Sequence, residues 1–105
     1  MKYQQAKMQT GEVLVEFYAS WCPHCRRMEP VVEELKELLN GHVPFYQYDI
    51  DEYPEDADVA GVATVPTFIL YRNGREVWRE SGEIPGDKIM AAIERMLPKV
   101  LEVKV

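Results

Sequence analysis

The stretch "EVLVEFYAS", Glu12 to Ser20, limits the possible folds of this chain more than any other. It is a nearly unbroken apolar run rich in Val, Phe and Tyr, which predicts a central strand buried on both faces. Such a strand needs cover above and below, and the next segment supplies part of it. From Pro23 the pattern changes: Met28, Val31, Val32, Leu35, Leu38 and Leu39 recur at steps of three and four, with Arg26, Arg27, Glu33, Glu34, Lys36 and Glu37 between them. This is the pattern of an amphipathic helix, stopped by Asn40-Gly41 and kinked where Pro30 removes a backbone hydrogen bond.

The alternation continues down the chain. "VPFYQYDI", Val43 to Ile50, reads as a second strand. In "EYPEDADVAG", Pro54 suits a first helical turn and Glu55, Asp56 and Asp58 suit the positive end of a helix dipole, so a short helix is expected, ending near Gly61. "TFILYRNGREVWRES" is two strand-like runs joined by Asn73-Gly74, a strong signal for a tight hairpin. Ile89, Ala92, Ile93, Met96 and Leu97 mark a closing amphipathic helix. The class is therefore α/β with a mixed sheet, and 105 residues are enough for one domain, 1–105.

A formal net charge of -6, with the cations scattered among acids, argues against a nucleic-acid partner. No apolar run approaches the roughly 20 residues of a membrane span. "MKYQQAKMQTGEV" has no signal-peptide apolar region. A cytoplasmic location is expected, or an exported one if a leader has been removed.

The only two cysteines, Cys22 and Cys25, lie together in "WCPHC". Cys22 falls where the strand gives way to the helix, so its thiolate would meet unpaired backbone N–H groups and the positive end of the dipole, which lowers a thiol pKa. Cys25, one turn further in, is near enough to close a small ring and is expected to be more buried. That makes Cys22 the attacking thiol and Cys25 the resolving one. Other readings of the pair are weaker. Tetrahedral zinc needs four ligands, and only His24 and His42 remain to join the cysteines, the first expected to point away along the helix start. Covalent haem attachment requires C-x-x-C-H, but Arg26 holds the final position. A purely structural disulfide across so short a loop brings the least entropic benefit. No cofactor or metal is called for.

"VEFYASWCPHC" resembles the active-site strand and motif of the thioredoxin family, with the usual Gly-Pro dipeptide replaced by Pro-His. The resemblance runs from about Tyr3 to Leu97 and takes in Pro30, "YDIDEYP", "VPTFILYRNG" and Gly82. It implies the thioredoxin fold, a central mixed sheet flanked by helices. It also implies roles for several residues. Pro66 matches a cis proline opposite the cysteines, and the backbone of Val65 would pair with an extended substrate segment. Gly82 matches a substrate-contacting glycine, and Trp21 the tryptophan that flanks the nucleophile. Glu16 matches the family's buried acid, usually aspartate; burial should raise its pKa and let it exchange a proton with Cys25.

Pro23 suits the first helical position, where a missing N–H costs nothing. His24 is poorly placed for helix stability, so its expected role is redox tuning, as an N–H donor to the Cys22 thiolate. The Pro-His pair resembles the centre of DsbA-type oxidases, although the chain lacks their inserted helical domain. Reference potentials are about -270 mV for thioredoxin and about -120 mV for DsbA. If Cys22 is a hundred to a thousand times stronger an acid than an untuned thiol, the potential rises by roughly 60 to 90 mV.

Four departures from the family pattern stand out. The family's first strand is missing ahead of the helix expected from Tyr3 to Thr10. "PKVLEVKV" extends beyond the closing helix, with Leu101, Val103 and Val105 alternating against Glu102 and Lys104. It is expected to add an edge strand, within one chain or between subunits of a weak dimer. Gln47 replaces a lysine that often neighbours the buried acid, which should raise the proton affinity of Glu16. Thr64 replaces a glycine.

The expected function is thiol–disulfide exchange with disulfide or dithiol proteins, recharged by a partner such as a thioredoxin reductase. Two alternatives are a disulfide oxidase or isomerase outside the cytoplasm, and a non-catalytic binding module. Intact Cys22 and Cys25 argue against the module.

Overall fold

A computed structural model of the chain describes residues 1–96. The elements run α1 (Tyr3–Lys7), β1 (Glu12–Tyr18), α2 (Pro23–Leu39), β2 (Phe45–Asp49), α3 (Pro54–Ala60), β3 (Thr67–Arg72), β4 (Arg75–Ser81) and α4 (Gly86–Met96). The described strands form one sheet in the order β2-β1-β3-β4. β1 pairs parallel with β2 and antiparallel with β3, and β3 pairs antiparallel with β4.

β1 is central and buried on both faces, as its composition predicts. Because side chains alternate along a strand, its residues divide between two cores. Val13, Val15 and Phe17 join Tyr3, Tyr48, Ala57, Ile69 and Tyr71 on the side of α1 and α3. Leu14 joins Met28, Val32, Leu35, Phe68 and Ile89 on the side of α2 and α4. Glu16, two residues beyond Leu14, is therefore aimed toward α2.

α2 buries Cys25, Met28, Val32, Leu35 and Leu39 at steps of three and four, while Leu38, expected on the same face, is 51% exposed. Pro30 lies inside α2, and the helix continues through it to Leu39. Asn73 and Gly74 both take positive φ (51° and 85°), the geometry a two-residue hairpin between right-twisted strands requires. Gly61 caps α3 in the left-handed region at φ 70°.

The first described element is α1, and β2 and β4 form the edges of the described sheet. The edge strand expected from "PKVLEVKV" lies outside the described residues.

Candidate active site

The β1–β3 register sets Phe17 opposite Thr67, so Pro66 comes level with the end of β1 just where the chain turns into α2. The Val65–Pro66 peptide is cis. Cys22 is the N-cap of α2 and Pro23 follows at the first helical position. The turn is held by the Cys22 N–H donating to the Ala19 carbonyl at 3.2 Å. Across the joint, the Cys22 thiol donates to the Val65 carbonyl oxygen at 3.6 Å.

Both cysteines are free and both are covered, at 4% and 6% exposed. Surface exposure does not distinguish them, but Cys25 lies deeper among protein atoms, as expected, so desolvation acts mainly on it. Their surroundings separate them instead. The Cys25 backbone N–H, foremost, holds the Cys22 thiol below its ordinary value of 9.0 against the opposing effect of desolvation, helped by the Cys25 thiol, the His24 backbone N–H and the charge of Arg27. Burial pushes the Cys25 thiol the other way, to about 12, and the neighbouring Cys22 adds to the rise. Two thiols a turn apart thus differ widely in acidity.

Glu16 is 2% exposed, and burial raises its carboxyl to about 7. Gln47 Nε2 donates to Glu16 Oε1 at 2.9 Å, which favours the charged form. Gln47 therefore offsets part of the rise; burial, not Gln47, makes Glu16 hold its proton. Glu16 and Cys25 line one cleft of about 340 Å³ together with Glu29, Arg26 and Gln47. A polar space of that size can hold water between carboxyl and thiol.

On the other side of Cys22 is an open groove of about 490 Å³, walled by Trp21, His24, Ile50, Ala57, Val62 and Val65. Trp21 is 58% exposed, and its indole N–H donates to Asp51 Oδ2 at 2.9 Å. Asp51 in turn belongs to the loop after β2. Gly82 sits on the far side of the proline, its N–H donating to the Pro66 carbonyl at 2.8 Å. Thr67 Oγ1 donates to the Thr64 carbonyl at 2.6 Å and lies 2.7 Å from Ser81 Oγ, bracing the segment that carries Val65 and Pro66.

The structure gives the His24 ring a different partner from the expected one. Its Nδ1 lies 2.7 Å from Glu83 Oε2, the oxygen that also accepts from Arg27 Nε at 2.8 Å. Sequence reasoning missed this cluster. Arg27 follows His24 by three residues on one helix, which is legible, but Glu83 is 59 residues from His24 and carries no local signal. Its place directly after Gly82 is the only hint.

A thiol made more acidic and one made less acidic within one helical turn can do together what neither does alone: open a disulfide in another chain and then let go of it. That defines a protein of dithiol–disulfide exchange. A thioredoxin family model matches residues 2–95. The chain is 37% identical over 95 residues to a thioredoxin of Alicyclobacillus acidocaldarius, covering 90% of each. It is 38% identical to the chloroplastic thioredoxin M4 of Arabidopsis thaliana over 81% of this chain, and spans 44% of that longer protein. Among solved structures, mitochondrial thioredoxin 3 of Saccharomyces cerevisiae superposes with a TM-score of 0.79 at 27% identity, over 89% of this chain and 86% of the other. The chain belongs to the thioredoxin family, and so to the disulfide oxidoreductases.

Proposed function

We propose that this protein exchanges disulfides with other proteins through Cys22 and Cys25, and that its couple is more oxidising than that of a Gly-Pro thioredoxin. The opposed acidities of the two thiols carry this reading. In the reducing direction the Cys22 thiolate attacks one sulfur of a partner disulfide. The partner's other sulfur leaves as a thiolate and takes up a proton, and a mixed disulfide remains. The Cys25 proton then passes to Glu16 through the cleft both residues line, and the Cys25 thiolate attacks Cys22 Sγ. The Cys22–Cys25 disulfide forms, the partner's second sulfur leaves, and two electrons have moved to the partner. A reductase restores the dithiol. In the oxidising direction every step reverses.

The groove beside Cys22 suits an extended apolar segment, whose backbone would pair with Val65 while Trp21 and Gly82 flank it. Stabilisation of the Cys22 thiolate favours the reduced form, which raises the potential. The substrates are proteins carrying an accessible disulfide or dithiol, handled by the chain acting as a single domain. A cytoplasmic reductase is the favoured setting.

Reduction of insulin by dithiothreitol-charged protein tests the reading. Turbidity should develop with wild type and disappear with Cys22→Ser. A Cys22→Ser variant that still reduces insulin, or a wild type that does not, would contradict it.

A further inference from the structure

The exposed ring of His24 borders the same groove as Cys22, yet its Nδ1 is already engaged. Three contacts tie it to Glu83 and Arg27 in one cluster: His24 Nδ1 to Glu83 Oε2 at 2.7 Å, Arg27 Nε to the same oxygen at 2.8 Å, and Arg27 Nη2 to His24 Nδ1 at 3.0 Å. A carboxylate only accepts and a guanidinium only donates, so Nδ1 cannot satisfy both neighbours. The shorter contact is to the carboxylate, and it places the proton on Nδ1. In a neutral ring Nε2 is then a bare acceptor, with nothing to offer a thiolate.

Glu83 also faces the cation that matters to Cys22. The charge of Arg27 favours the Cys22 thiolate, as a smaller influence than the N–H groups of Cys25 and His24, and the carboxylate of Glu83 lies against it. His24 and Arg27 hold the Glu83 carboxyl below its usual range in return, so it is ionised at neutral pH. One residue therefore restrains two of the three cation-forming side chains on the first turns of α2, Arg26 being turned to the Ser20 carbonyl.

We propose that Glu83 is a positioning residue for disulfide exchange: it holds His24 by Nδ1 and offsets the charge of Arg27, and so withholds both from the Cys22 thiolate. The inference rests on the reading of Cys22 as the attacking thiol. It makes Glu83 a brake on the oxidising power that the Pro-His pair would otherwise confer. The anchor is firm because Glu83 follows Gly82, which is tied to the Pro66 carbonyl. All three side chains are at least 40% exposed, which limits the effect through screening.

The test compares Glu83→Gln with wild type in glutathione buffers of known ratio, in two backgrounds: native, and His24→Ala/Arg27→Gln. In the native background the variant should shift the equilibrium toward the dithiol by about two- to fivefold, tenfold being about 30 mV for this two-electron couple. Thiolate absorbance should show the Cys22 titration moved to lower pH. In the doubly substituted background Glu83→Gln should change neither. No shift in the native background, a shift toward the disulfide, or an equal shift in both backgrounds would overturn the proposal. The last result would mean that Glu83 acts on the thiolate directly. Failure of insulin reduction would instead strike the underlying reading, because the Glu83 effect is a difference between variants of one couple.

Discussion

The Cys22 thiol donates to the carbonyl oxygen of Val65, 3.6 Å away, and this bond exists only while the sulfur keeps its proton. When Cys22 ionises, it turns from donor to acceptor. The N–H groups of Cys25 and His24 at the start of α2 then become its partners. The same step leaves the Val65 carbonyl free to accept an N–H from an arriving segment. On the proposed reading of Cys22 and Val65, activation of the nucleophile and opening of the adjacent backbone acceptor are one event.

Iodoacetamide should therefore discriminate between the cysteines. At pH 7 the reduced protein should take one label, on Cys22, since Cys25 is held near 12 by burial. Peptide mass spectrometry reads the site. Equal labelling of both residues would contradict the division of roles.

Glu16 should make folding stability pH-dependent. Its carboxyl titrates near 7 when folded, against an ordinary value of 4.5. Between those values the folded chain binds more protons than the unfolded one, so stability falls as pH rises through that window. The loss above pH 7 amounts to about 3 kcal/mol. Urea unfolding of Glu16→Gln should match wild type most closely at pH 5 and exceed it most at pH 8. A parallel pH dependence in both proteins would refute the assignment.

Arg27→Gln should act opposite to Glu83→Gln. Loss of the cation removes a charge that favours the Cys22 thiolate. The alkylation rate at pH 6.5 should fall by about two- to fivefold, the scale of an exposed charge interaction, and the difference should shrink in 1 M salt. A faster reaction would contradict the account.

The two buried hydroxyls of Tyr3 and Tyr71, 2.6 Å apart, join α1 to β3. Either change to Phe leaves the other hydroxyl buried without that partner and should cost about 1 to 2 kcal/mol. The double variant should cost no more than the worse single one, because both groups are then removed together. Denaturant midpoints of the four proteins measure the coupling, and simple additivity would show that the hydroxyls are independent.

The elements that the sequence foretold are those whose cause is local. β1 is written in its run of Val, Leu and Phe, α2 in its three-and-four period after Pro23, and the hairpin in Asn73-Gly74. Glu16 is legible as a charge inside an apolar strand; whether its carboxylate reaches water at the end of the sheet or stays buried is not, and the structure leaves it 2% exposed. The cysteines and Pro66 were legible through a motif. The charge cluster was not, since Glu83 meets Arg27 and His24 across 56 and 59 residues, and only the register of β3 and β4 brings them together. Proximity to Cys22, poor placement for helix stability and the Pro-His resemblance all point to His24 as a donor to that thiol, and none of them can register a carboxylate 59 residues away. The strand ends were also overextended: β1 stops at Tyr18 and β2 begins at Phe45, where the chain bends toward α2 and leaves Pro44.

The measurement closest to the central claim is the potential of the Cys22–Cys25 couple, taken by equilibrating the protein with glutathione and following the fluorescence of Trp21. The account predicts a value above the thioredoxin reference of about -270 mV by at least about 30 mV, and still below the DsbA reference of about -120 mV. A value at or below about -270 mV would contradict it, and would mean that the start of α2 favours the Cys22 thiolate no more than it does in a Gly-Pro thioredoxin.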